Sequence, residues 1–589
     1  MKHRQGSTTL PLGLAAAVLG LAGSDRALAA ESELAAGRGP ASAAATCSAA
    51  QKRTRVRALS AFRSSMAKQR AAYFKAHLSP SMRAAFVKRQ RAELLRLQAR
   101  AACTIPDRTP PRLSSATVNA DTVKLSLSED LAAPPSASAF SVTVDGLRWR
   151  IAGARLEGKR DVVLRLAIGV TSTESVVVTY TASSLADRAG NATRNFSTTT
   201  RNVTPAAPAT AEPGFAPSLP KPGFADDRSI PDPWVGEWGP KSDPYWLPSR
   251  GTHRGLIIPV DFADAPATRT VEFYRDYLVP TAQRYYGEVS YGRFELQLAT
   301  VPRWLRLART AAQYAAQWRS PDGRKELLRE ATALVDAEVD FATVDSIYVI
   351  APESVAGSLG LSLVRAWPGD GPVRDGRELR WAVVGGAGLD PRGPTANLAA
   401  HHIVTHELGH FLGLPDLYDQ ARRGTPDQFA WAGRWDNMSD NRASSHLFTW
   451  HKWLLGWLDA TQLRGLTAPG TTEAELTPLE RRGGLKAVVV PVSTDVAYVV
   501  ENRQRIGEDI ELCGDGVLVW VVDGSRRNVE HNAVVQPAGR SYSDECGAIF
   551  DAAYGTGPGK LSVFEDANVR MEVLAVLANG NVRVRVTKR

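Results

Sequence analysis

The residues best placed to do chemistry lie within 401–419, HHIVTHELGHFLGLPDLYD. His406 and His410 are four apart, so on a helix they share one face. Two neutral imidazoles one turn apart can grip one Zn²⁺, each at about 2.0–2.1 Å. Glu407 sits beside the first histidine and faces the open side of such a metal. There it can take a proton from a metal-bound water without being a ligand itself. A catalytic zinc also needs a third protein ligand and one open position. Gly413 permits the positive φ that ends a helix and turns the chain, and Pro415 suits a chain that has left its helix. Asp416 then returns beyond the turn with a carboxylate oxygen; Asp419 is the alternative third ligand. His402, one turn before His406, is expected to pack or support, as is His401 beside it. Tyr418 is expected to pack, with donation to an oxyanion as its alternative. His446 and His451 are expected to support the fold, with the holding of a tetrahedral intermediate as their alternative role.

Such a site needs a sheet beneath its helix. Residues 256–262 read as a buried strand, 273–286 as a helix and 291–298 as a second strand. Leu327, Leu328, Ala331, Leu334 and Val335 repeat at helical spacing within 324–339, and 346–350 is a buried strand. A further strand at 379–384 precedes the zinc helix. It reads equally as an internal strand or as an open edge that pairs with substrate main chain. Strands alternating with helices predict an α/β sheet with the active helix packed across it, in a catalytic domain spanning 251–460. Residues 461–589 are β-rich, with strands expected at 487–492, 496–501, 517–522, 570–576 and 582–586. They are expected to form a C-terminal β-sandwich that packs on the protease or contacts substrate.

The chain has 589 residues, enough for several domains. Residues 1–30 read as a secretory signal: basic Lys2, His3 and Arg4, an apolar run over 10–22, and a small-x-small Ala27-Leu28-Ala29. No later stretch is long enough to span a bilayer. Four cysteines fit an exported protein with two disulfides, and proximity favours Cys47–Cys103 and Cys513–Cys546. The net charge is +10, but roughly fourteen Lys and Arg face a single Glu within 51–100. The rest is near neutral, so nucleic-acid binding is not expected. The basic stretch reads instead as solvated helix faces, or a surface for an acidic partner. Residues 31–105 are expected to form a two-helix hairpin or pro-region, broken where Ser79 caps and Pro80 starts the second helix. Short alternating runs over 106–204 predict an antiparallel β-sandwich, and the Pro- and Ala-rich 205–250 a linker open to proteolytic maturation.

Two resemblances add to this. The 106–204 stretch resembles bacterial Ig-like domains of the swarming-motility type, through DRTPP at 107–111, AFSV at 139–142 and LADRAGN at 185–191. Such domains imply a spacer or cell-surface contact. Residues 250–525 resemble the immune inhibitor A-like secreted zinc metallopeptidases, a metzincin-related family. The matching residues are HELGH at 406–410, GLPDLYD at 413–419 and WDNMS at 435–439, with YYGEVSYG at 285–292, KWLLGW at 452–457, YVVENRQ at 498–504 and GDGVL at 514–518. The resemblance implies a metzincin-like α/β catalytic domain, His406, His410 and Asp416 as zinc ligands, and Glu407 as general base. It also implies a Met turn at Met438 beneath the metal, where a thioether fills irregular space. Family members often bind structural Ca²⁺; no residues here place it. The expectation is therefore a multidomain, secreted zinc endopeptidase acting on proteins or peptides. Its alternatives are a peptidase of cell-wall peptides, and an adhesion protein with a vestigial protease domain.

Overall fold

The computed structural model describes residues 49–76, 79–100, 109–182, 184–206, 246–318, 320–355, 358–359, 362–365, 371–385, 400–422, 425–441, 444–493, 495–526, 531–536, 549 and 552–589. The signal segment 1–30, Cys47, Cys103, Cys546 and most of the linker lie outside the described residues. Cys513 is not a free thiol; both pairings remain expectations. The chain is multidomain and β-rich, with seven α-helices and several sheets among the described residues.

The N-terminal hairpin comprises α1 (Ala49–Ala76) and α2 (Pro80–Arg100). Pro80 opens α2, where its missing N–H costs nothing. Tyr73 and Phe86 stack with centroids 4.0 Å apart, and Gln90 donates to the Met66 carbonyl at 3.1 Å.

Next comes a two-sheet sandwich: β1 (Leu113–Asn119), β2 (Thr122–Leu127), β3 (Phe140–Val144), β4 (Leu147–Trp149), β5 (Ile151–Glu157), β6 (Asp161–Leu166), β7 (Val176–Tyr180), β8 (Phe196–Thr199) and β9 (Arg201–Asn202). Its sheets run β5-β6-β2-β1-β9 and β4-β3-β7-β8. The period-2 alternation puts Val123, Leu125 and Leu127 of β2 inside with Val142, Leu164 and Val178. One core residue comes from far along the chain. Ile506 is buried among these side chains and bridges Trp149.

The third region holds β10 (Gly251–Asp261), α3 (Val271–Val289), β11 (Phe294–Thr300), β12 (Leu305–Arg306), α4 (Ala311–Gln317), α5 (Pro321–Ala333), β13 (Ser346–Ile350), β14 (Ser362–Arg365), β15 (Val373–Arg374), β16 (Arg377–Glu378), β17 (Trp381–Gly385), α6 (Ala400–Phe411) and α7 (Thr449–Leu454). Its sheet is ordered β11-β10-β13-β17-β14, with β12 beside β10. All pairs are parallel except β14 with β17. The strand expected at 379–384 is β17, and it is internal: β13 and β14 flank it. The open-edge reading is thereby corrected; β14, too short to stand out in sequence, is the edge. Helix α5 begins a turn earlier than its apolar repeat, because Ser320 caps Gly323 at 3.0 Å and Pro321 fills the first position. Alternation divides the sheet's faces. Ile257, Leu296, Tyr348 and Val383 face α3 and α6, while Ile258, Ile347, Val349 and Val384 face α4 and α5.

The last strands are β18 (Leu463–Gly465), β19 (Gly470–Leu476), β20 (Ala487–Pro491), β21 (Val496–Arg503), β22 (Gly516–Asp523), β23 (Ala533–Val535), β24 (Val563–Glu565), β25 (Val569–Val576) and β26 (Val582–Lys588). Sheet β18-β20-β21-β22-β23 packs one face, including Val488, Val500 and Val519, on sheet β19-β26-β25-β24. Its other face, with Val489, Val499, Leu518 and Trp520, shares a core with Leu408, Met438 and Phe448. The boundary expected at 460/461 thus divides one continuous core.

Candidate metal centre

Helix α6 carries the two histidines and stops where the sequence says it must. Gly413 takes φ +89°. Leu414 N donates to Gly409 O at 3.0 Å and Gly413 N to His410 O at 3.0 Å, the paired bonds of a Schellman cap. The chain reverses and brings Asp416 back against the helix. His406 Nε2 lies 3.1 Å, and His410 Nε2 3.2 Å, from Asp416 Oδ1. All three side chains are buried. They are, among the described residues, the one group of three or more His, Cys, Asp or Glu placed to hold a metal ion, with ligand atoms within 4.8 Å of one another.

Whether the group fits zinc is decided by what else these rings touch. His406 Nδ1 is 2.8 Å from Asn437 O, and His410 Nδ1 is 2.8 Å from Leu414 O. A carbonyl only accepts, so both Nδ1 atoms carry hydrogen and both rings turn Nε2 to the Asp416 carboxylate. A metal ion would take the two Nε2 atoms and the carboxylate oxygen as its ligands. Two ligands at about 2.0–2.1 Å from a tetrahedral ion stand about 3.3 Å apart, close to the Nε2–Oδ1 separations seen. The donor set and its spacing both fit zinc. Burial pushes the Asp416 carboxyl upward, but the two imidazoles outweigh it and hold the group far below the usual carboxylate range.

Met438 lies under the helix as the resemblance implied. It is fully buried, and a Cβ added to Gly409 would come within 2.5 Å of its sulfur. Only glycine lets the helix approach the thioether so closely. Glu407 is only partly buried. Its surroundings push its carboxyl upward, chiefly through burial, with the imidazoles of His406 and His410 opposing. Tyr418 packs, its ring 6.4 Å from His406 and 6.1 Å from Phe429.

Asp419 is not part of the group. It pairs with His531 at 3.2 Å and Arg422 at 3.4 Å. His446 is also not at the metal face; it is fully buried between Glu288, at 2.9 Å from Nε2, and Lys452, at 2.8 Å from Nδ1. His451 meets Asp436 at 2.9 Å. His401 and His402 lie in the first turn of α6; their side chains are outside the described residues.

Residue-by-residue reading missed a second cluster beneath the Met turn. Arg503, at the end of β21, is fully buried and donates to Asp509 Oδ2 at 2.5 and 2.9 Å, to Glu480 at 3.3 Å and to Glu501 at 3.3 Å. It also donates to the carbonyls of Trp435, at 2.5 Å, and His446, at 3.3 Å, so it ties the Met turn to the approach to α7. Glu501 accepts from Thr449 N at 2.7 Å, Lys452 donates to Tyr291 at 3.1 Å, and Glu288 accepts from Glu508 N at 2.5 Å. The signal was present in sequence: Glu288, Tyr291, Lys452, Glu501 and Arg503 all lie in the flanking segments that carry the family resemblance.

The family model that matches the chain, described as "Putative flagellar system-associated repeat", covers residues 106–185, the stretch of the β1–β7 strands. No curated protein matches. Among solved structures, the N-terminal part of the bacterial S-layer protein SbsC aligns at 16% identity over 26% of this chain and 36% of its own, with TM-score 0.15. The chitinase ChiW from Paenibacillus sp. aligns at 16% identity over 44% of this chain and 23% of its own, with TM-score 0.13. The chain therefore spans little more than a third of the SbsC fragment, and superpositions this loose define no common fold. No helix among the described residues is long and apolar enough to cross a membrane.

Proposed function

We propose that this chain is an exported zinc endopeptidase of the immune inhibitor A-like kind. The observation that carries the reading is the buried triad: His406, His410 and Asp416 bring three possible ligand atoms within 4.8 Å of one another, with the partly buried Glu407 next to His406 in the chain. When bound, the zinc polarises the scissile carbonyl and makes a water acidic enough to lose a proton near neutral pH. His406 and His410 hold their tautomers through Asn437 O and Leu414 O. Glu407 accepts the proton of the attacking water and returns it to the leaving amine. Substrate main chain pairs with β14, the antiparallel edge beside β17. The segment after the signal and the 205–250 linker supply sites for maturation, and the sandwich at 106–204 supplies cell-surface contact.

The test is metal content and proteolysis on one preparation. Wild-type protein is expected to hold one zinc and cleave casein, with cleavage lost to a chelator. Glu407→Gln is expected to keep the zinc and lose cleavage. Full activity in that variant would falsify the mechanism. The repeat-family match at 106–185 favours a second reading, a surface adhesion module with an idle protease domain. That reading gains if zinc binds stoichiometrically and no protein is cut.

A further inference from the structure

The two histidines are supported unequally. His410 takes its carbonyl from Leu414, and the Schellman cap of the same helix holds that carbonyl in place. His406 takes its carbonyl from Asn437, 31 residues away in a separate turn. Asp436 is the side chain that closes that turn. Its side chain is fully buried. Oδ1 accepts from Met438 N at 2.7 Å, while Oδ2 accepts from Phe448 N at 2.8 Å and from His451 Nδ1 at 2.9 Å. The carboxylate therefore closes the turn across Asn437 and ties it to the first residues of α7.

We propose that Asp436 is a positioning residue of the metal centre: by fixing the Asn437 carbonyl it holds His406 in the Nδ1–H tautomer with a bare Nε2 aimed at the ion. The inference rests on the zinc reading above. Its chemistry depends on Asp436 being a carboxylate. Three donors converge on it from two sides, and both oxygens are used. An asparagine offers one oxygen and one NH₂, so one set of donors would face a donor. The turn relaxes to relieve that clash, and His406 loses its fixed partner. Replacing groups that orient a metal ligand lowers metal affinity about 10–100-fold.

Asp566, partly buried, supplies a comparator with the same number of donors. It too accepts from three donors on both oxygens: Asn568 N at 2.9 Å, Val569 N at 2.9 Å and Tyr498 Oη at 2.5 Å. It lies between β24 and β25, in the sheet that does not touch the metal centre. The experiment measures zinc affinity by chelator competition, and the visible d–d spectrum after cobalt substitution, for full-length wild type, Asp436→Asn and Asp566→Asn. Asp436→Asn is expected to bind zinc about 10–100-fold more weakly with a shifted cobalt spectrum, whereas Asp566→Asn keeps both at wild-type values. Affinity for Asp436→Asn within about twofold of wild type, or an equal loss in Asp566→Asn, overturns the proposal. A wild type that binds no zinc removes the functional reading as well, so the two failures are distinct. If Asp436→Asn does not fold, ¹⁵N shifts of the metal-free wild type decide: protonated Nδ1 at His406 supports the proposal and protonated Nε2 overturns it.

Discussion

Two sets of buried ionisable groups share the core around Met438, and they are built in different ways. In the cluster around Arg503, a guanidinium gathers the carboxylates. The guanidinium is matched to three carboxylates, Lys452 to Tyr291 and His446, and Glu288 to His446 and a backbone amide. At His406, His410 and Asp416, three side chains that can each ligate a metal meet one another. A buried network centred on a guanidinium serves the fold. A buried triad of ligand-type atoms held by backbone carbonyls is the kind of group that could take a cation. Burial is common to both; what the groups converge on separates them.

The largest effect expected on that contrast is at Glu407. Glu407→Gln should lower cleavage about 10²–10⁴-fold, the usual worth of a general base, with zinc content unchanged. A variant that loses its zinc instead would mean Glu407 belongs to the ligand set.

Arg503→Met should act on folding rather than chemistry. It leaves Glu480, Glu501 and Asp509 buried without their cation, which costs about 3–5 kcal/mol. Denaturant unfolding of the metal-free protein reads this directly. An unchanged midpoint would show that the network is not the matched cluster described.

Glu288 offers a pH test of the same network. Burial, with the nearby Glu508 carboxylate, pushes its carboxyl up to about 8, from 4.5 when unfolded. Between those values the folded state keeps a proton that the unfolded chain has released, so stability falls as pH rises through the window. Glu288→Gln keeps an acceptor for Glu508 N and His446. It should flatten that slope in melting curves taken from pH 4.5 to 8; an unaltered slope assigns the proton elsewhere.

The smallest effect is expected at Asp419. Its partners are His531 and Arg422, the latter half exposed, and exposed pairs are worth about 0–1 kcal/mol. Asp419→Asn should bind zinc as wild type does, whereas Asp416→Asn should lose most of its affinity. The reverse result would move the third ligand three residues along the chain.

Much of this was legible in sequence because it is local. The spacing of His406 and His410 sets a common helix face, and Gly413 sets the cap that returns Asp416; both follow from backbone geometry within eleven residues. Apolar periodicity marked β10, α3, β13, β17 and five of the last nine strands, since each buries a regular face. The short β14 escaped, because four residues carry no usable period, and so the sequence leaves open whether β17 is an edge or an internal strand. Only the tertiary structure decided how distant segments meet: that β21 continues the core around Leu408 and Met438, that Ile506 enters the β1–β9 sandwich, and that Glu288, His446, Lys452 and Arg503 form one network. Sequence names which groups can donate or accept. Whether a given acceptor faces a donor or another acceptor depends on chain segments tens to hundreds of residues apart, as where the Asn437 carbonyl meets His406 Nδ1.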